Sequence, residues 1–96
     1  MARFDLFRSG DGWLLDVQSE LTDSLPTRVV VPLLRADQAP VASELNPVFV
    51  IEGEAFALMV ELLAATPRRA LGRPQGSLAH ERDAITRALD LLFTGF

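Results

Sequence analysis

Short β segments succeed one another along the chain, and a single helical pattern comes last. This order constrains the fold more than any other feature. Ala2, Phe4 and Leu6 alternate with Arg3 and Asp5, a period of two. Trp13, Leu15 and Val17 alternate in the same way with Leu14, Asp16 and Gln18. Between the two runs lies Gly10-Asp11-Gly12, which supplies residues tolerant of the positive φ that a tight hairpin needs. Thr22 to Pro26 is a polar loop closed by proline. Val29-Val30-Val31 is apolar on both faces and reads as a central strand, with Pro32 marking its end or an edge. Arg35 to Pro40 is a loop or short turn. Pro47 to Ile51 forms a second β-branched strand, which Glu52-Gly53 turns back. The segment from Glu54 to Ala65 stays open: its Glu, Ala, Leu and Met content favours helix, whereas its place after a two-residue turn favours a returning strand. Thr66-Pro67 ends it in either case.

After the connector Pro74-Gln75-Gly76, Ser77 is the expected N-cap of a helix, with Glu81 and Asp83 near its positive end. Leu78, Ile85, Leu89, Leu92 and Phe93 fall on one face at helical spacing. The expected architecture is therefore a mainly β chain, an antiparallel sheet followed by one C-terminal helix.

Ninety-six residues are expected to form one domain spanning 1–96, with a core that needs neither disulfide nor metal. The chain contains no cysteine, which excludes a disulfide scaffold, a Cys-based zinc site and thiol chemistry. Hydrophobic content is 49% and mean hydropathy +0.23, high for so small a chain. Some of that apolar surface is expected to face a partner, most simply a second copy. No stretch approaches the roughly 20 apolar residues of a membrane span, and the N-terminus lacks a signal-peptide run. A cytoplasmic location is expected. Net charge is −4, and all nine basic residues are arginine. Arg68-Arg69 and Arg73 form the only basic cluster, so direct nucleic-acid binding is not expected.

The residues that carry chemistry have bland readings at hand. His80, the single histidine, sits beside Glu81, Arg82 and Asp83 as a solvated or capping group, and one histidine excludes a multi-histidine metal site. Glu52 and Glu54 flank a tight turn. Trp13 lies on an apolar strand face and reads as core or dimer packing. No Ser-His-Asp grouping, phosphate loop or metal-ligand spacing is visible, so neither cofactor nor catalytic residue is expected. The exception is the end of the chain. Leu91 to Phe96 is an uncharged apolar run carrying two of the six phenylalanines. Leu92 and Phe93 read as core packing, whereas Phe96, after Gly95, reads as partner contact or dimer packing. Thr94 carries no signal by itself, and Asp90 is an ordinary solvated helix residue.

Asp16-Val17-Gln18-Ser19-Glu20-Leu21, Arg28 to Leu33, Glu44 to Val48, Leu78-Ala79-His80-Glu81 and the run from Ala84 to Phe96 together resemble the CcdB toxin family. The likeness is ordered and covers nearly the whole chain, apart from a shortened first hairpin loop at Arg8 to Gly12. It implies a small SH3-like antiparallel β barrel of the CcdB and MazF/Kid type with a C-terminal helix, and it implies that Glu54 to Ala65 is mostly strand. It also implies a non-enzymatic toxin of a type II toxin–antitoxin module. Such a toxin is a homodimer that binds the A subunit of DNA gyrase and traps its cleaved DNA complex. A cognate CcdA-like antitoxin with a disordered tail neutralises it. By position, gyrase contact would fall on Thr94, Gly95, Phe96, Phe93, Asp90 and Arg87, with Leu21 and Thr22 on a nearby loop. The family ends in Phe-Trp-Gly-Ile where this chain has Phe93-Thr94-Gly95-Phe96. Losing an aromatic anchor costs about 2–4 kcal/mol, or roughly 30- to 1000-fold in affinity. Two other readings stand beside the gyrase poison: a scaffold with weakened, lost or retargeted gyrase binding, and a MazF/Kid-like endoribonuclease built from His80, Glu52 or Glu54, and Arg28 or Arg68.

Overall fold

The computed structural model describes residues 1–95; Phe96 lies outside them. Six antiparallel strands make one curled sheet: β1 (Leu6–Ser9), β2 (Gly12–Asp16), β3 (Thr27–Arg35), β4 (Val48–Ile51), β5 (Glu54–Leu58) and β6 (Ala64–Pro67). The strand order is β1-β2-β3-β5-β4, with β6 branching from the other end of β3. One helix, α1 (Arg82–Thr94), follows. The result is a small, partly open β barrel closed by a C-terminal helix, in line with the expected class.

β3 organises the sheet. It pairs with β2 along one edge, and along the other with β6 at Thr27 to Val30 and with β5 at Leu33 to Arg35. Pro32 therefore neither ends the strand nor sits at an edge, contrary to the sequence expectation. Its carbonyl accepts from the Met59 N–H at 2.9 Å, on the side where β3 changes partner from β6 to β5. The donor that proline lacks would point into that changeover, where no ladder bond is interrupted. The same changeover settles the open segment. Glu54 to Ala65 is two strands separated by a 3₁₀ turn at Val60–Leu62, so helix propensity yields to sheet pairing.

The inner face of the sheet and one stripe of α1 enclose the core. Phe4, Trp13, Leu15, Val31, Leu33, Phe49, Phe56, Leu58 and Ile85 are among its buried members. A second, smaller cluster covers the outer face, where Phe7 and Val30 pack against Leu71 of the segment after β6. Phe7 is thus buried although alternation from Leu6 would turn it to solvent. Two further boundaries move. The first strand starts at Leu6, because the chain turns at Arg3–Phe4: Phe4 holds φ 73° and the Asp5 N–H bonds to the Ala2 carbonyl. A bulky residue in the left-handed region is strained; here the Phe4 N–H and C=O are tied to the Asp16 carbonyl and the Leu78 N–H. The α-helix starts at Arg82 with Glu81 at its N-cap, so Ser77 is not the helix cap expected; its Oγ accepts from the Ala79 N–H just ahead of a 3₁₀ lead-in at Ala79–Glu81, whose own N-cap is Leu78.

Both predicted hairpins form, with different glycine logic than expected in the first. Gly10 adopts φ +59° in the two-residue turn between Ser9 and Gly12, whereas Gly12 needs no positive φ. Gly12 is required because a Cβ there would overlap the Leu33 carbonyl oxygen of the neighbouring strand. Gly12→Ala is expected to destabilise the fold by about 1–3 kcal/mol, the usual penalty of overpacking. Chemical denaturation of the two proteins measures it.

Candidate functional site

The helix that closes the barrel presents its outer flank to solvent. Ile85 and Ala88 are fully buried, and Ala84, Leu89 and Leu92 are half-buried against the core. This stripe follows the i, i+3, i+4, i+7 rule. Phe93 does not belong to it. The ring is 67% exposed, so the expectation that Phe93 packs in the core is corrected, while Leu92 keeps that role. The reason is angular: Phe93 lies about 100° further round the helix than Leu92. It shares the solvent flank with Asp90, three residues before it, and Arg87, three before that.

The structure brings Arg87, Asp90, Phe93 and Thr94 together on this flank, all exposed. Arg87 Nη1 lies 3.7 Å from Glu44 Oε1, across an open groove between α1 and the loop before β4. Asp83, Thr86 and Asp90 line the same groove. Thr94 Oγ1 donates to the Asp90 carbonyl at 2.7 Å, folding the hydroxyl back onto the last turn of its own helix. Gly95 then ends the helix in the left-handed conformation, φ 78°, with its N–H bonded to the Leu91 carbonyl. A side chain at Gly95 meets no neighbour, so the requirement there is one of backbone conformation alone. Gly95→Ala is expected to cost about 1 kcal/mol and to fray the last turn of α1. Loss of amide protection at Thr94 and Gly95 reports it. Phe96, the remaining tail position, is outside the described residues.

Leu21 and Thr22 stand apart from the tail. They lie on a 3₁₀ turn at Glu20–Thr22, where Leu21 is 97% exposed. Leu21 borders a cleft with Arg82, the first residue of α1. The helix from Arg82 to Thr94 is about 18 Å long, so one copy of the chain presents two patches near opposite ends of one helix.

Beneath the Leu21 turn lies a group of residues that sequence reasoning missed. Asp16 and Arg28 are fully buried. Arg28 Nε donates to Asp16 Oδ2 at 2.8 Å, and Nη2 sits 2.7 Å from the same oxygen. Arg28 Nη1 donates to Asp23 Oδ1 at 2.8 Å, and Arg68 reaches the same oxygen from the segment after β6. Gln18, also buried, donates through Nε2 to the Thr22 carbonyl and hydroxyl, and its Oε1 accepts from the Val29 N–H. Desolvation pushes the Asp16 carboxyl above its usual value, against the pull of the Gln18 N–H and of Arg28. Two arginines and two aspartates balance in charge. The available signal was Arg28 at the head of a run apolar on both faces, and Asp16 between Leu15 and Val17 in an apolar strand.

The remaining candidates scatter. Trp13 is core, 2% exposed, with the Arg8 guanidinium 4.5 Å from its ring centre. His80 is exposed on the lead-in to α1. The small pocket lined by Glu52 and Glu54 is shared with Arg8, Asp11 and Arg35, not with His80, Arg28 or Arg68. Among the described residues no group of three or more His, Cys, Asp or Glu side chains is arranged to hold a metal, and no helix is long and apolar enough to cross a membrane.

Comparison with models of known families adds the deciding observation: residues 3–95 match the family described as CcdB protein. The chain belongs to the CcdB family. The match spans nearly all of its 96 residues. Membership makes it a toxin of the toxin–antitoxin type, whose partners are those of such a module. The outer flank of α1 and the turn carrying Leu21 are two exposed surfaces of this chain.

Proposed function

We propose that this CcdB-family chain acts as a homodimeric toxin that binds the A subunit of DNA gyrase, traps the cleaved DNA complex, and is neutralised by a cognate CcdA-like antitoxin. The observation that carries the reading is Phe93, an aromatic ring two-thirds exposed at the end of α1 in a chain of this family. Burying such a ring against a partner removes apolar area from water, and phenylalanine is enriched in the cores of protein interfaces. Arg87, Asp90, Thr94, Gly95 and Phe96 complete the proposed tail surface, and Leu21 and Thr22 the loop surface. Poisoning needs grip rather than chemistry, so no group of this chain is assigned a catalytic role.

The reading of a scaffold with altered gyrase grip is favoured by one feature. Thr94 stands where the family has tryptophan, and its hydroxyl is already engaged by the Asp90 carbonyl. An endoribonuclease is disfavoured because Arg28, one of its candidate phosphate-binding groups, is fully buried between aspartates. Binding of the purified chain to the gyrase A subunit, repeated after deletion of Gly95-Phe96, separates the first two. Tight binding lost on deletion supports the gyrase poison; no binding by the intact chain sinks it.

A further inference from the structure

We infer that Asp16, Arg28 and Asp23 form a positioning device that holds the Ser19–Asp23 turn in one conformation, so that Leu21 is presented already ordered to a protein partner. The identity of that partner rests on the gyrase reading above; the ordering of the turn does not. The turn is gripped at both ends. Gln18 ties its start to Thr22 and to the Val29 N–H of β3, and Asp23 ties its end to Arg28 and Arg68. Within it, Ser19 Oγ accepts from the Leu21 N–H and Thr22 Oγ1 donates to the Ser19 carbonyl. Leu21 itself is almost wholly in water, so its own side chain contributes little to holding the turn.

The choice of a charged pair is informative. Well-packed apolar residues are at least as stabilising as a buried ion pair of similar volume. What Arg28 adds is geometry: a planar, multiply donating fork that fixes Asp23 of the turn relative to Asp16 of β2. A turn fixed beforehand loses less conformational freedom on binding, which strengthens association without adding a contact.

The test uses Asp23→Ala, which removes the link to the turn while leaving the Asp16–Arg28 pair in place. Asp23 is half-exposed, so the fold is expected to survive. Hydrogen exchange in the free protein is read at Thr22, Asp23 and Leu25, whose N–H groups bond to the Ser19, Glu20 and Thr22 carbonyls. Exchange there is expected to quicken about tenfold, with β2 and β3 unchanged. Affinity for the gyrase A subunit is then measured for wild type, Asp23→Ala, Leu21→Ala and the double variant. Asp23→Ala is expected to weaken binding about tenfold alone and to have little effect once Leu21 is removed, because an ordered turn then presents nothing. Unchanged exchange at the turn overturns the inference whatever the partner. So does an Asp23→Ala effect of full size in the Leu21→Ala background, which marks a direct contact or a general loss of structure. Failure of the wild type to bind the A subunit contradicts the function proposed above, and the exchange measurement then decides the ordering of the turn by itself.

Discussion

Replacing Arg28 by methionine is expected to cost about 3–5 kcal/mol of folding stability, the penalty for leaving one half of a buried ion pair behind. Asp16 is fully buried and would keep only the Gln18 N–H as a partner. Against a typical total of about 5–15 kcal/mol, the loss would leave a marginal fold. Urea denaturation should show a lower midpoint with an unchanged slope. The deficit has a pH signature. Without Arg28 the Asp16 carboxyl rises further above 3.8, the value from which burial already raises it. The folded variant then binds a proton that the unfolded chain does not, from pH 3.8 up to that raised value. The variant therefore regains stability relative to wild type as pH falls through this window. The double replacement Asp16→Leu/Arg28→Met is expected to recover most of the loss, since an apolar pair of similar volume needs no desolvation of charge. A single-variant loss below about 1 kcal/mol would mean the pair is not dry.

Phe93→Ala should do the opposite: leave stability within about 0.5 kcal/mol and weaken binding to the gyrase A subunit at least 30-fold. The ring is two-thirds exposed and lies off the stripe that packs on the core, so its removal opens no cavity. Its neighbours on the flank, Arg87 and Asp90, are exposed charges of the kind that contribute little individually. Isothermal titration with the A subunit, beside thermal melts of both proteins, separates the two effects. Equal affinity with and without the ring would remove Phe93 from the proposed contact.

The sequence carried the β-to-helix order because alternation, glycine turns and β-branched runs are local signals. The helix face was legible for Ile85, Leu89 and Leu92 for the same reason. Pro32 misled because its tolerance inside β3 depends on a change of strand partner, a non-local fact. Phe93 misled because one residue of helical rotation separates core from solvent at the edge of an apolar stripe. Asp16 looks like a solvent-facing member of an alternating strand, and Arg28 like the polar head of an apolar run. Their burial follows only once β2, β3 and the Leu21 turn close over them. The site residues implied by family resemblance were brought together on α1 at Arg87, Asp90, Phe93 and Thr94, while Leu21 and Thr22 came to rest on a separate element near the helix start.

The cleavage state of DNA in the presence of gyrase, ATP and the purified chain tests the central claim most directly. A gyrase poison should convert supercoiled plasmid into linear DNA covalently held on the A subunit, released when protein is denatured and digested, and the Phe93→Ala variant should do so far less. Intact plasmid at saturating concentrations of the chain, with gyrase supercoiling it as usual, would contradict the account.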